Sequence, residues 1–163
     1  MNHDVPLTAH FHLSEFEHGA TIPDECIPIF VELCAKILEP IRAVFDKPII
    51  ITSGYRSPES NAEAHGQPNS EHMASPMMCA CDFYLQGIGM RFVFDFLRNS
   101  PVFPYHQLIL EHSPSGSTII HCSINKMKPG VRSVLEGATH NAEEYTVVDH
   151  IPFNPGTSGE VSG

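Results

Sequence analysis

Two apolar runs separated by a short polar link limit most strongly how this chain can fold. They are "YHQLILEH" (105–112) and "STIIHCSI" (117–124), and they flank "SPSG". Runs of this length, rich in β-branched residues and bounded by turn formers, read as strands. The short Gly-containing link joins them as an antiparallel hairpin. A lone hairpin is marginal in water, so further strands and a helical layer must cover its apolar face. The chain supplies both. "PIIITSGY" (48–55) is a short β-branched run with a Gly stop, and "CACDFYL" (79–85) alternates as a second strand. Between 22 and 46 lies the main helical signal. Ile29, Leu33, Ile37, Ile41 and Val44 recur at helical spacing, and Phe30, Leu38 and Phe45 widen the stripe. Pro28 fits the first turn of that helix, while Pro40 should kink or break it.

"GMRFVFDFLRNS" (89–100) reads as an amphipathic helix, and "FHLSEFEHG" (11–19) as a short helical turn with Ser14 as its cap and Gly19 at its end. "GVRSVLEG" and "YTVVDHIPF" can add a final strand or two. The expectation is an α+β fold with helices packed on one side of a mostly antiparallel sheet. It comprises one domain over 1–153 and a flexible tail over 154–163. A chain of 163 residues with 42% hydrophobic and 17% charged content suits one packed core.

The formal net charge of −10, with nine Lys and Arg that form no run, disfavours a nucleic-acid partner. No apolar run reaches the roughly eighteen residues of a membrane span. "MNHDVPLTAHFHLSEF" has neither a basic start nor an apolar core, so no signal peptide is expected. The five cysteines, Cys26, Cys34, Cys79, Cys81 and Cys122, are odd in number and irregular in spacing. That argues against a disulfide framework and for a reducing compartment.

Chemistry gathers in the polar stretch 53–85 and in the hairpin. His72 ends the polar segment, Asp82 lies in the second strand, and His121 lies in the hairpin's second strand. Two imidazoles and a carboxylate form a usual catalytic zinc set. Their spacing is not that of a zinc finger, and by spacing alone each His reads better as a core or loop residue than as a ligand. Cys79 and Cys81 alternate with Ala80 and Asp82. If Asp82 faces a metal, both cysteines face away into the core.

The wording around these residues adds to this. "ITSGYRSPESN", "PNSEHM", "ACDFYL" and "IIHCSI", with "FHLSEFEHG" and "LEPIRAVFDKPIIITSGYRSP", together resemble the zinc D-Ala-D-Ala carboxypeptidase family. That family also contains L-Ala-D-Glu endopeptidases, occurs in compact form in phages and bacteria, and shares its fold with the hedgehog signalling domain. The resemblance runs from about Phe11 to about Ile124. It implies a zinc peptidase acting on peptidoglycan stem peptides through zinc-activated water. His72, Asp82 and His121 would be the zinc ligands, Arg56 would clamp the substrate carboxylate, and Ser70 would support the site. The family motif Ser-x-His-x-x-Gly-x-Ala-x-Asp matches at Ser70, His72, Ala80 and Asp82. Here His72 and Asp82 are ten positions apart rather than seven, and Met78 stands where Gly is expected.

Relatives often carry an acid three residues before the last histidine. Thr118 occupies that position, so Glu111 is the candidate general base, expected opposite Thr118 across the hairpin. His112 is a second candidate, for proton shuttling or for stabilising an oxyanion. His65 is a loop or rim residue, His106 lies near the site in sequence, and His10, His12 and His18 have no evident role. The rival expectation is a binding or structural module on the same fold, favoured by the longer spacing, by the lost Gly and by the missing acid at 118. The resemblance also implies a protein of the bacterial cytoplasm or of a phage, acting on the cell wall after release or delivery.

Overall fold

The computed structural model describes residues 4–139 and 142–157. Most of the tail expected from 154 onward lies outside them. Pro155–Thr157 form a 3-10 turn, and the Asn154 N–H donates to the Pro101 carbonyl at 2.7 Å.

The central element is a six-stranded sheet made of β1 (Ile49–Ser53), β2 (Met78–Leu85), β3 (Gln107–His112), β4 (Thr118–Asn125), β5 (Ser133–Ala138) and β6 (Thr146–Val147). Their order is β1-β2-β4-β3-β5-β6, and every pairing is antiparallel except β3 with β5. The fold is therefore α+β with a mostly antiparallel sheet.

Alternation gives this sheet two unlike faces. Cys79, Cys81, Phe83 and Leu85 of β2, Leu108 and Leu110 of β3, and Ile120, Cys122 and Ile124 of β4 join a single apolar core. All five thiols are free and buried. The opposite face carries Asp82, Gln107, Glu111, His121 and Asn125, which line a cleft.

Helices cover the apolar face. α1 (Ile27–Leu33) and α2 (Glu39–Phe45) are joined by a π-helical turn, Cys34–Leu38. Pro40 explains the turn. It sits in the first turn of α2 and has no N–H to give the residue four before it. The chain widens by one residue instead, and the Glu39 N–H reaches the Cys34 carbonyl. Pro40 thus changes the helical pitch without ending the rod. α1 packs on β2 and β4, the short α3 (Pro58–Glu63) follows β1, and α4 (Met90–Arg98) packs on β3 and β4 through Met90, Val93, Phe94 and Leu97.

The N-terminal turn spans Leu13–Phe16 and is capped by His12, whose N–H donates to Glu15 Oε2 at 2.7 Å. Ser14 lies inside the turn and bonds Asp4 instead, so the expected Ser14 cap is not formed. The turn docks against Gly54, just after β1. The Tyr55 N–H donates to the Phe16 carbonyl at 2.8 Å, and a Cβ on Gly54 would lie 2.6 Å from the Phe16 Cα. Only glycine fits there.

Candidate metal centre

Three separate elements bring His72, Asp82 and His121 together. His72 rides on a 3-10 turn, Glu71–Met73, capped by Ser70, whose hydroxyl accepts the His72 N–H at 3.3 Å. Asp82 and His121 are direct cross-strand partners on β2 and β4. Beside Asp82 the β1–β2 pairing slips between Ile51 and Ser53, and the Thr52 hydroxyl bonds the Asp82 carbonyl at 3.3 Å. Such irregularities re-aim side chains at the edge of a site.

The three extra residues between His72 and Asp82 are taken up by a tight turn. The Ser75 N–H donates to the Met78 carbonyl at 2.9 Å, and the Met78 N–H returns to the Ser75 carbonyl at 3.3 Å. Lys126 N–H holds the turn to the sheet through the Met77 carbonyl at 2.7 Å. The insert is thus looped out before β2 begins, and the ligand spacing is restored in three dimensions.

The ligating atoms converge. His72 Nε2 lies 3.2 Å from Asp82 Oδ1 and 3.1 Å from His121 Nδ1, and His121 Nδ1 lies 2.9 Å from Asp82 Oδ1. All three residues are buried, and their candidate donor atoms fall within 4.8 Å of one another. The outer ring nitrogens are engaged elsewhere. His72 Nδ1 is 2.7 Å from the Gly54 carbonyl, and His121 Nε2 is 3.1 Å from Gln107 Oε1. Each of those contacts takes the proton of a neutral imidazole. The inner nitrogens then present lone pairs to each other and to a carboxylate. Such a cluster either takes up protons or holds a cation.

The electrostatics agree. Burial alone would push the Asp82 carboxyl up, but the charge and hydrogen bonds of His72 and His121 hold it well below the usual carboxylate range. Burial disfavours charge on His121, yet the Asp82 carboxylate raises its pKa above the ordinary imidazole value. Two neutral imidazoles and a carboxylate, each braced by a second hydrogen bond, fit a tetrahedral zinc site that leaves one position open.

Glu111 sits on the same face of the sheet, but not opposite Thr118 as expected. The hairpin closes through a five-residue link, with the Ser113 N–H on the Ser117 carbonyl, so Glu111 pairs with Ile119 and His112 with Thr118. Residue 118 therefore faces away from His121, and an acid there would not share its side of the sheet. Burial pushes the Glu111 carboxyl up and the Asp82 charge adds to this, while His121 and the Tyr145 hydroxyl pull it down less strongly. The same alternation removes His112 from the site. It lies on the helical side, 2.9 Å from Glu136, which also pairs with Arg91 of α4. A shuttling or oxyanion role for His112 is thereby excluded.

Arg56 lines the cleft, with its guanidinium 3.8 Å from Asp82 Oδ2 and its backbone N–H donating to the His72 carbonyl at 2.8 Å. Among the described residues it has no other ion pair, so most of its donors are free for a ligand. His65 is exposed on the rim. His10, His12 and His18 bond Glu39, Asp4 and the Glu15 carbonyl.

Three supporting residues, Gln107, Tyr145 and Glu71, escaped the sequence reading, which puts His106 only near the site. Gln107 orients His121. Tyr145 donates to Glu111 Oε1 at 3.0 Å. Glu71, next to His72, is buried against His106 Nδ1 at 2.7 Å and accepts from the Ser123 hydroxyl at 3.3 Å. This Glu71–His106 pair pins the His72 turn to β3 and β4. No local motif marks it, because 35 residues separate the partners.

The cleft around these groups encloses about 820 Å³. No helix among the described residues is long and apolar enough to cross a membrane. No curated protein matches the chain in sequence. The Peptidase M15 family matches residues 9–123, well over half of the 163, a stretch that includes Arg56, the three clustered ligands and Glu111. The chain belongs to the peptidase M15 family, whose members are zinc-dependent metallopeptidases.

Proposed function

We propose that the protein hydrolyses an amide bond in a peptidoglycan stem peptide, with zinc held by His72, Asp82 and His121. The observation that carries this reading is the convergence of two imidazole nitrogens and one carboxylate oxygen within 4.8 Å, on a sheet face that lines a cleft of about 820 Å³. Bound there, zinc supplies Lewis acidity that polarises a carbonyl and makes water a better nucleophile at neutral pH. The remaining work belongs to the chain. Arg56 makes a charge-assisted pair with a substrate carboxylate. Glu111 accepts the proton of the attacking water, and its raised pKa suits it to hand that proton on to the leaving amine. Tyr145 holds the Glu111 carboxylate in place. Ser70 acts on the turn that carries His72 rather than on substrate. Delivery to the cell wall, after release from a cytoplasm or by a phage particle, completes the proposal.

The rival is a binding module on the same fold. Its grounds are the longer His72–Asp82 spacing, Met78 in place of the family Gly, and Thr118. The Ser75–Met78 turn and the facing of residue 118 weaken the first and the last.

The test is metal content followed by digestion. Wild type should carry about one zinc per chain and cleave defined muropeptides, as a single tetrahedral site requires. His72→Ala should lose both properties. Zinc-free wild type that stays empty on reconstitution would sink the metal assignment. Stoichiometric zinc without cleavage would favour the binding module.

A further inference from the structure

The cleft does not stop at the three ligands. It continues past Asn125 to Met127 and Lys128, in the turn that follows β4. His121 and Asn125 are four strand residues apart, about 13 Å at about 3.3 Å per residue. A second hollow of about 360 Å³ begins at this end of the sheet, walled by Tyr105, Ile124, Val131 and Phe153. His106, Asn125 and Lys128 line both spaces.

The charge at this end runs against the rest of the molecule. The chain has a net charge of −10 and four lysines, at 36, 47, 126 and 128, yet Lys36, Lys126 and Lys128 all line this one hollow. One carboxylate serves two of them. Glu32 Oε1 accepts from Lys126 at 3.1 Å and lies 3.7 Å from Lys36. Among the described residues, Lys128 has no ion-pair partner. A local positive excess beside apolar walls, on an otherwise acidic protein, matches an anionic group carried on an apolar body. It does not match a polyanion, which the surrounding surface would repel.

We propose that this end of the cleft is a second substrate subsite, which holds an acidic peptide segment with apolar side chains beside its carboxylate. Lys128 is the cation that reads its carboxylate. The identity of the ligand as a peptide rests on the peptidase reading above. An extended peptide covers about 3.3–3.6 Å per residue, so the carboxylate belongs about four residues from the bond held at the metal. Lys128 is then a specificity-determining residue, remote from the chemistry. Arg56 and Lys128 together favour substrates with two carboxylates spaced along one chain.

The experiment is equilibrium binding by fluorescence anisotropy on the full chain, with and without zinc. The probes are a labelled alanine-rich peptide with one glutamate and its twin with glutamine in that position. Wild type should bind the acidic probe about threefold more tightly than its twin, the scale of one exposed charge pair. Lys128→Ala should abolish that preference and Lys128→Glu should reverse it, with melting temperature and zinc content unchanged. Equal affinity for the two probes, a preference that survives Lys128→Glu, or no binding of either probe would overturn the proposal. The subsite lies away from the metal ligands, so the preference should persist in zinc-free protein. A persistent preference without any zinc-dependent cleavage would count against the peptidase reading alone.

Discussion

Replacing Glu111 by Gln separates the chemistry of this site from its stability. The change is isosteric, and the amide oxygen can still accept from the Tyr145 hydroxyl, which donates at 3.0 Å. That bond falls from the charge-assisted range of about 1.5–3 kcal/mol to the neutral range of about 0.5–1.5 kcal/mol, a loss of about 1 kcal/mol. Two larger effects act the other way. Glu111 is 8% exposed, so its charge is held out of water, and it lies within the field of the Asp82 carboxylate. The balance already includes Tyr145 and leaves the Glu111 pKa raised. A carboxyl whose folded pKa exceeds its unfolded value helps folding most below the unfolded value. That help fades as pH rises through the folded pKa. In the zinc-free protein at neutral pH the carboxylate is therefore a net burden on folding, and zinc-free Glu111→Gln should melt at the same temperature as zinc-free wild type or higher. Activity should move oppositely, falling about 10²- to 10⁴-fold with loss of the general base. The assay pairs muropeptide turnover and zinc analysis of the loaded protein with thermal melting of the zinc-free protein. Turnover within tenfold of wild type at full zinc occupancy would refute the base assignment. A lower melting temperature at pH 7 but not at pH 4 would refute the electrostatic argument.

Other perturbations probe the frame around the ligands. Glu71→Ala removes the anchor of the His72 turn and should weaken zinc binding about 10- to 100-fold in chelator competition, with Glu71→Gln recovering part of it through His106. Equal affinities across the three proteins would show that the turn needs no anchor. Gly54→Ala drives a Cβ into the Phe16 backbone and displaces the carbonyl that orients His72. It should cost about 1–3 kcal/mol, read as a fall of several degrees in melting temperature, and should lower zinc affinity as well. Unchanged melting would mean the N-terminal turn is not packed as described. Protons compete with zinc for the inner imidazole nitrogens, so affinity should drop as pH falls. The drop should begin above the ordinary imidazole value of 6.5, because Asp82 raises the His121 pKa. Isothermal titration at several pH values reads this directly, and a pH-independent affinity would remove His121 from the ligand set.

Much of this was legible in the chain because period-two patterns carry facing as well as strand identity. "CACDFYL" placed Asp82 on one face and Cys79 and Cys81 on the other, and the core contains both thiols. The same logic, carried one step further, separates Glu111 from His112. If Glu111 faces the ligands, its neighbour cannot. Register was less legible. The hairpin link is one residue longer at its closing bond than the turn chemistry of "SPSG" suggests, which moves Glu111 from Thr118 to Ile119. Pro40 announced a missing hydrogen bond, but how a helix absorbs the loss depends on what packs around it. Glu71 with His106, and Glu111 with Tyr145, were out of reach for a different reason. They join residues 35 and 34 apart through tertiary structure, and neither pair leaves a pattern in the sequence.

The five buried thiols have a consequence for how the centre could be watched at work. Cys81 and Cys122 are strand neighbours of Asp82 and His121, on the dry side of the same strands. Burial pushes both thiols well up, so neither is a reactive thiolate in the closed protein. Alkylating reagents can reach them only when the helical layer lifts from this face or β2 and β4 part, so labelling rates report the opening of the core behind the two strands that carry the metal ligands. A ligand bound across those strands slows the openings that part them, by up to its own binding free energy. The native cysteines thus serve as built-in clocks for metal occupancy, with no probe introduced and no ligand altered.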